Sequence, residues 1–316
     1  MAGQYVAFMK HGKRIYSVPP KTSFNLSYQA SRSFPLGSNW LYLRVFCRPE
    51  SADLILLYTL LPFLIKNQKR VKKWFFIRYD EDGYHLRIRL NIAEENIGEV
   101  LSAFKNQLSA KGHKRLVKEL QGDTYRRELE RYGADIIELV ELYFEASSNF
   151  TLKTLQERSK NQTFLTEFDA GIFTSFYLIN CMLDEPERVK IFTNKLSDGF
   201  LSEFKANKEL HIDIDAKYRA IRSHLKRLLE EPVETLLTRK LHAEFKSLLA
   251  RMQMIVTATK HKSQPQIHIL TADLIHMHLN RMFRANQRQQ EFLVYYCLHK
   301  YISSKIIMME KLIYPG

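Results

Sequence analysis

Apolar and polar positions alternate most cleanly in residues 84–90 (YHLRIRL). Leu86, Ile88 and Leu90 fall on one face there, and His85, Arg87 and Arg89 on the other, which is the period-two signature of a strand. Residues 41–47 (LYLRVFC) and 74–79 (WFFIRY) are rich in aromatic and branched side chains and read as two more strands. Pro49 closes the first of these, and Ser51 or Asp53 can cap a helix over residues 52–67. Residues 91–111 carry Ile97, Val100, Leu101 and Phe104 on one stripe, the pattern of an amphipathic helix. Residues 115–120 are a candidate fourth strand. The order strand, helix, strand, strand, helix, strand predicts a ferredoxin-like split βαβ unit with a small antiparallel sheet.

Beyond residue 122 the pattern turns helical. Residues 123–133 are either helical or an ordered loop ending at Gly133. Asp135 with Glu138 three later resembles a capping box for a helix to about residue 146. Further helices are predicted over 151–160, 163–183, 186–206, 213–230, 233–259, 271–284 and 288–306, with Pro186 and Pro232 at starts. The fold class expected is α+β, a small sheet unit over 40–122 followed by a mostly helical part over 123–316. Residues 1–39 hold turn chemistry around Pro19-Pro20 and Pro35-Leu36-Gly37 with little periodicity, and are expected to be an N-terminal extension.

Composition narrows the function. The 48 Lys and Arg exceed the 34 Asp and Glu by fourteen, so an acidic partner is expected: nucleic acid, an acidic peptide or an anionic small substrate. Cys47, Cys181 and Cys297 are far apart and odd in number, which argues against a disulfide framework or zinc module and fits a reducing, cytoplasmic setting. The N-terminus lacks a signal-type apolar region, and the apolar run 54–65 is about half the ~20 residues of a membrane span, so no membrane insertion is expected. No Gly-rich phosphate loop, nucleophile elbow or HExxH pattern occurs.

Three constellations could carry chemistry. Asp82-Gly83 between two strands is a hairpin signal. With a two-residue loop, Asp80 faces His85, Arg78 faces Arg87 and Phe76 faces Arg89, so Arg78, Arg87 and Arg89 crowd one face. Guanidinium forks match carboxylates and phosphates, which makes this face an anion site or, alternatively, a solvated outer face. Glu128 and Arg131 are i,i+3 neighbours if helical, a surface ion pair or part of a site. In residues 274–281 (LIHMHLNR), His276 and Asn280 share a helix face while His278 points elsewhere, so two-histidine metal binding is not expected. Asn280 could orient the imidazole or touch a substrate. An imidazole titrates near neutrality, which suits acid–base work, although a lone helical His is often structural.

The series Trp40, 74–79 (WFFIRY), 85–89 (HLRIR), Tyr125, Glu128, 130–133 (ERYG) and His276-Met277 through Asn280-Arg281 resembles the C-terminal domain of lantibiotic dehydratases. That domain also occurs alone as the thiopeptide-type bacteriocin biosynthesis protein. The resemblance covers roughly residues 40–305; Ala134 stands where the family usually has a second glycine.

The resemblance implies a stand-alone elimination enzyme, a lyase. It would remove glutamate from glutamylated Ser or Thr of a precursor peptide to give dehydroalanine or dehydrobutyrine. It implies Arg87, Arg89, Arg131 and His276 as elimination residues, with Glu128 near the same site. Arg131 is preferred to Arg127 for its Glu-x-x-Arg spacing, and His276 to His278 for its place in the motif. Arg78, His85 and Asn280 join Glu128 as expected substrate contacts. The implied partners are the precursor peptide, leader plus core, and a separate tRNA-dependent glutamylation protein; a cyclase and a homo-oligomer are compatible with it. No metal or organic cofactor is demanded. Two alternatives are a [4+2] cycloaddition enzyme of thiopeptide pathways and a non-catalytic subunit binding leader peptide or tRNA.

Overall fold

The computed structural model describes residues 30–109, 112 and 115–313. The turn chemistry around Pro19-Pro20 therefore lies outside the described residues, as does the end of the helix expected at 111. Strand β1 (Ser33–Phe34) precedes β2 (Trp40–Cys47). Helix α1 (Pro49–Ile55) runs through a π-helical turn (Leu56–Leu60) into α2 (Leu61–Lys66). Then come β3 (Val71–Tyr79), β4 (His85–Ile92), α3 (Ile97–Ser109), β5 (Val117–Asp123) and β6 (Tyr125–Arg126). The sheet order β3-β4-β2-β5, all antiparallel, is the ferredoxin-like order the element sequence predicts. The short β1 pairs with β6, and Phe34 stacks on Tyr125, so residues 33–34 belong to the folded body rather than to a loose extension.

The rest is helical: α4 (Leu129–Tyr132), α5 (Ile137–Ser159), α6 (Glu167–Leu183), α7 (Pro186–Glu203), α8 (Lys208–Glu230), α9 (Val233–Leu236), α10 (Arg239–Ala258), α11 (Gln264–Met282) and α12 (Gln287–Ile313). The two helices expected over 135–160 are one continuous α5. Among the described residues no helix is long and apolar enough to cross a membrane.

The sheet is covered on both faces. Leu41, Leu43, Val45, Leu86, Ile88 and Leu90 pack with Ile55, Phe63 and Phe104 of the α1–α3 layer. Trp40, Tyr42, Phe75 and Ile77 join the core of the helical part through Tyr125, Val140 and Phe144. Strand β3 is an edge, and edge N–H groups must find partners. Here the N–H of Trp74 donates to Glu145 Oε1 (3.2 Å), that of Phe76 to Ser148 Oγ (3.2 Å), and that of Arg78 to Asn280 Oδ1 (3.0 Å). Side chains of α5 and α11 thus replace a missing strand and fix the helical part against the sheet edge.

The hairpin register corrects the sequence expectation. Tyr79, not Asp80, faces His85; Ile77 faces Arg87; Phe75 faces Arg89. A slip of one residue moves every β3 side chain to the other face. Residues 74–77 (WFFI) are apolar on both faces, so alternation within β3 cannot choose the register. The Tyr84 carbonyl accepts from Cys47 N–H (3.1 Å), and Asp82 (φ 60°) and Gly83 (φ 99°) form a left-handed turn within a five-residue loop.

Candidate active site

Strand β4 places His85, Arg87 and Arg89 on the face toward the helical part, and β2 adds Arg44 directly opposite Arg87. His85 is fully buried; its Nδ1–H donates to the Gly83 carbonyl (2.7 Å). Its Nε2 accepts from Arg87 Nε (3.0 Å) and Arg44 Nε (3.4 Å). Burial, aided by the two guanidiniums, holds His85 below the ordinary imidazole value and therefore neutral. His85 thus orients two arginines through a single lone pair. The Arg87 guanidinium lies 3.3 Å from the Tyr79 ring centroid. Arg89 is boxed by Tyr42, Phe75 and Tyr125 at 4.6, 5.4 and 5.0 Å. Such cation–π contacts contribute about 0.5–2 kcal/mol each and hold a charge without neutralising it.

Helices α4 and α11 form the opposite wall. Arg131 pairs with Asp273 (2.6 Å) and Glu128 (3.2 Å). Burial opposes its charge, yet Tyr132, Asp273 and Glu128 hold it above the ordinary arginine value. Burial raises the Asp273 carboxyl against the pull of Arg131. His276, one turn along α11 from Asp273, accepts or donates through Nδ1 to Glu291 Oε2 at 2.9 Å. Asn280, a further turn on, is tied to the Arg78 backbone through both its amide groups (3.0 and 2.8 Å). His276 therefore stands about 6 Å along the helix from a residue docked on β3, the strand next to Arg87 and Arg89.

Between the two walls lies Arg281, fully buried with no carboxylate partner among the described residues. Its Nε donates to Ser148 Oγ (3.2 Å), and its guanidinium sits 4.5 Å from the Phe144 ring centroid. Burial, reinforced by Arg89, pulls its titration down to about 9. Arg89 Nε, Tyr132 Oη and Arg281 Nη2 are buried with no hydrogen-bond partner among the described residues. Buried donors normally find partners. Unmatched donors on two guanidiniums and a phenol are chemistry that suits an anion.

The eight residues singled out in the sequence separate into two groups. Arg89 interacts with Arg281, Arg281 with Tyr132, Tyr132 with Arg131 and Glu128, and His276 with Asp273, the partner of Arg131. Arg87 lies two residues from Arg89 on the same face of β4. Arg78 stands apart: it projects to the opposite face, is fully buried, pairs with Asp53 (2.7 Å) and donates to the Arg281 carbonyl (2.9 Å). His85 and Asn280 spend their hydrogen bonds on positioning other protein groups. The rejected neighbours are also accounted for. Arg127 is locked bidentately to buried Glu141 (2.7 and 2.9 Å). His278 is fully buried between Ser147 Oγ (2.8 Å) and Thr174 Oγ1 (2.7 Å), and burial drives it down to about 3.

Sequence reasoning missed Arg44, Asp273, Arg281 and Glu291. Arg281 stood inside the motif already noted, and Asp273 lies three residues before His276, a legible helical spacing. A second cavity, about 520 Å³ beside Trp40, is lined by Lys73, Arg127, Glu138 and Glu141. Its buried carboxylate, Glu141, already accepts from Lys73, Tyr125 and Arg127, so its charges are matched internally.

The family model for the C-terminal part of lantibiotic biosynthesis dehydratases matches residues 40–302. The chain belongs to that family. It is 25% identical over 268 residues to the subtilin biosynthesis protein SpaB of Bacillus subtilis, covering 83% of this chain and 25% of SpaB. It spans about a quarter of the length of the curated relatives it matches. The crystal structure of the tRNA-dependent lantibiotic dehydratase MibB from Microbispora sp. 107891 superposes with a TM-score of 0.63 at 18% identity, over 84% of this chain and 28% of MibB. The pyridine synthase TbtD from thiomuracin biosynthesis gives 0.64 at 13% identity, over 84% of this chain and 98% of TbtD. At these identities the structural matches establish a shared fold.

Proposed function

We propose that this chain carries an elimination activity that converts O-glutamylated Ser or Thr of a precursor peptide into dehydroalanine or dehydrobutyrine. The reaction breaks the Cα–H bond, forms the Cα=Cβ bond and breaks Cβ–O, and glutamate leaves as a carboxylate with the electron pair. Negative charge grows first toward the substrate carbonyl and then on the leaving oxygen. Arginines fixed by His85, by aromatic rings and by Asp273 stabilise that charge without reorganising. Arg87, Arg89 and Arg131 take this role and grip carboxylate oxygens in fork geometry, while His276 carries the proton. Glu128, mostly exposed and beside Arg131, suits the glutamyl ammonium. The separate glutamylating partner and the leader-bearing peptide follow from the same reading. The observation that carries it is the uncompensated guanidinium cluster with three unmatched buried donors.

A second reading, [4+2] cycloaddition between two dehydroalanines, is favoured by one observation: the pyridine synthase TbtD is matched over 98% of its length. A synthetic peptide bearing one glutamyl-Ser ester separates the two. Elimination yields a dehydroalanine peptide and free glutamate, detected by mass spectrometry, and Arg87→Ala and Arg89→Ala abolish it. An untouched glutamyl peptide together with leader release from a bis-dehydroalanine peptide means cycloaddition. No chemical change, with salt-steep binding of leader or tRNA, means a binding subunit.

A further inference from the structure

Helix α11 carries three histidines, and their surroundings differ. His278 is sealed between two hydroxyls. His268 is partly buried with Nε2 lacking a partner. His276 alone meets a carboxylate: Nδ1 lies 2.9 Å from Glu291 Oε2, across the turn from α11 to α12. The Glu291 side chain is only 4% exposed, while His276 is 29% exposed, so the acid is behind and the imidazole in front. Glu291 also accepts from Arg288 Nη1 (3.1 Å), and Arg288 is itself paired with Glu203 of α7. Burial alone would raise the Glu291 carboxyl, but His276 and Arg288 together hold it below the usual carboxylate value. An ionised carboxylate can only accept, so the proton between the two lies on Nδ1. No partner for Nε2 is found among the described residues.

We infer that Glu291 is a positioning residue that fixes His276 as its Nδ1–H tautomer and leaves the Nε2 lone pair as the proton acceptor. The inference rests on the elimination reading for its purpose, though not for its geometry. In the step it serves, the substrate Cα–H breaks and a new N–H forms at Nε2. The C–H electron pair becomes the double bond, and the Cβ–O pair departs with glutamate. The imidazolium so formed keeps Nδ1–H on Glu291, whose charge stabilises it, and then loses the Nε2 proton to water. This is the nucleophile-base-orienter logic of catalytic triads with the nucleophile absent. Arg288 and Glu203 hold the carboxylate in place. The other charged groups facing the ring are Asp273 on α11 and, through it, Arg131 and Glu128 at α4.

The test is long-range proton–nitrogen NMR of the full chain with labelled histidine, at mildly alkaline pH and without substrate. Wild-type His276, assigned through His276→Gln, is expected to show Nδ1 protonated and Nε2 bare. In Glu291→Gln that fixed signature is expected to be lost, the ring reverting toward the Nε2–H form. On the glutamyl-Ser peptide, Glu291→Gln is expected to lower kcat about tenfold or more with KM within about twofold. A wild-type ring protonated at Nε2 overturns the inference even if the variant does not fold. A tautomer unchanged in folded Glu291→Gln also overturns it. The expected NMR result without any glutamate release leaves the dyad standing and refutes the elimination reading instead.

Discussion

Replacing Arg78 and Arg87 by Met in parallel tests the sheet register, because the two arginines lie on opposite faces. Arg78 is fully buried; it donates to Asp53 (2.7 Å) and to the Arg281 carbonyl (2.9 Å). Burial opposes its charge, and Asp53 and Tyr84 more than offset that. Removing one partner of a buried ion pair costs about 3–5 kcal/mol, because the other charge is stranded. Asp53 retains Arg284 at 3.6 Å and is 15% exposed, which pulls the expected loss to the low end, about 3 kcal/mol. Met refills most of the volume, so little cavity cost is added. Arg87 gives up one hydrogen bond to His85 and its Tyr79 stack, roughly 1–2 kcal/mol at a half-exposed site. With a urea slope of about 3 kcal/mol/M, Arg78→Met shifts the unfolding midpoint down by about 1 M, and Arg87→Met by a third to two thirds of that. Glutamate release from the glutamyl-Ser peptide should follow the opposite order: largely kept in Arg78→Met at low temperature, lost in Arg87→Met. If Arg78→Met keeps the wild-type midpoint and loses turnover as Arg87→Met does, Arg78 faces the cleft and the register argument is wrong.

Two further outcomes follow from the same geometry. His278 is neutral in the fold, with its titration lowered from 6.5 to about 3, so between those values the unfolded chain binds the extra proton. Stability should therefore fall as pH drops from about 6.5 toward 3, by roughly 4 kcal/mol at most. Urea midpoints measured across that range should flatten in His278→Gln, and an unchanged acid slope would count against the burial argument. Asn280→Ala strands the Arg78 N–H and carbonyl at the β3 edge and should cost about 1–3 kcal/mol. Its KM for the glutamyl peptide should stay near wild type, whereas a large KM rise in a stable variant would make Asn280 a substrate ligand.

The ferredoxin-like order was legible because β4 alternates cleanly and the helix between β2 and β3 is sharply bounded. The register was not, because a run such as 74–77 (WFFI) satisfies either face and the turn around Asp82-Gly83 is longer than two residues. Arg131 is preferred to Arg127 for its Glu-x-x-Arg spacing within the family resemblance; the structure pairs Arg127 with buried Glu141, a contact 14 residues apart that the spacing does not reveal. The motif placed His276 but said nothing of Glu291, fifteen residues on and across a helix boundary. Arg131 and Asp273 are 142 residues apart. Pairings of that kind are set by how α4, α11 and α12 pack, and no local pattern encodes them.

Charge placement makes the junction, rather than the cavity beside Trp40, the reactive candidate. In that cavity, Lys73 and Arg127 converge on Glu141, and the buried acid is fully hydrogen-bonded. A cation paired with a fully buried carboxylate, as Arg127 is with Glu141, has less left to offer a developing anion than Arg131, which is 32% exposed and pairs with the 60%-exposed Glu128 as well as Asp273. At the junction Arg89 is held by rings and Arg281 by a hydroxyl, a carbonyl and a ring, none of which neutralises it. The fold thus carries the cost of a fully buried Arg281 that no carboxylate among the described residues neutralises, with the charge of half-buried Arg89 adding to it. An arriving carboxylate recovers that cost, which makes anion binding at Arg89 and Arg281 favourable before any chemistry begins.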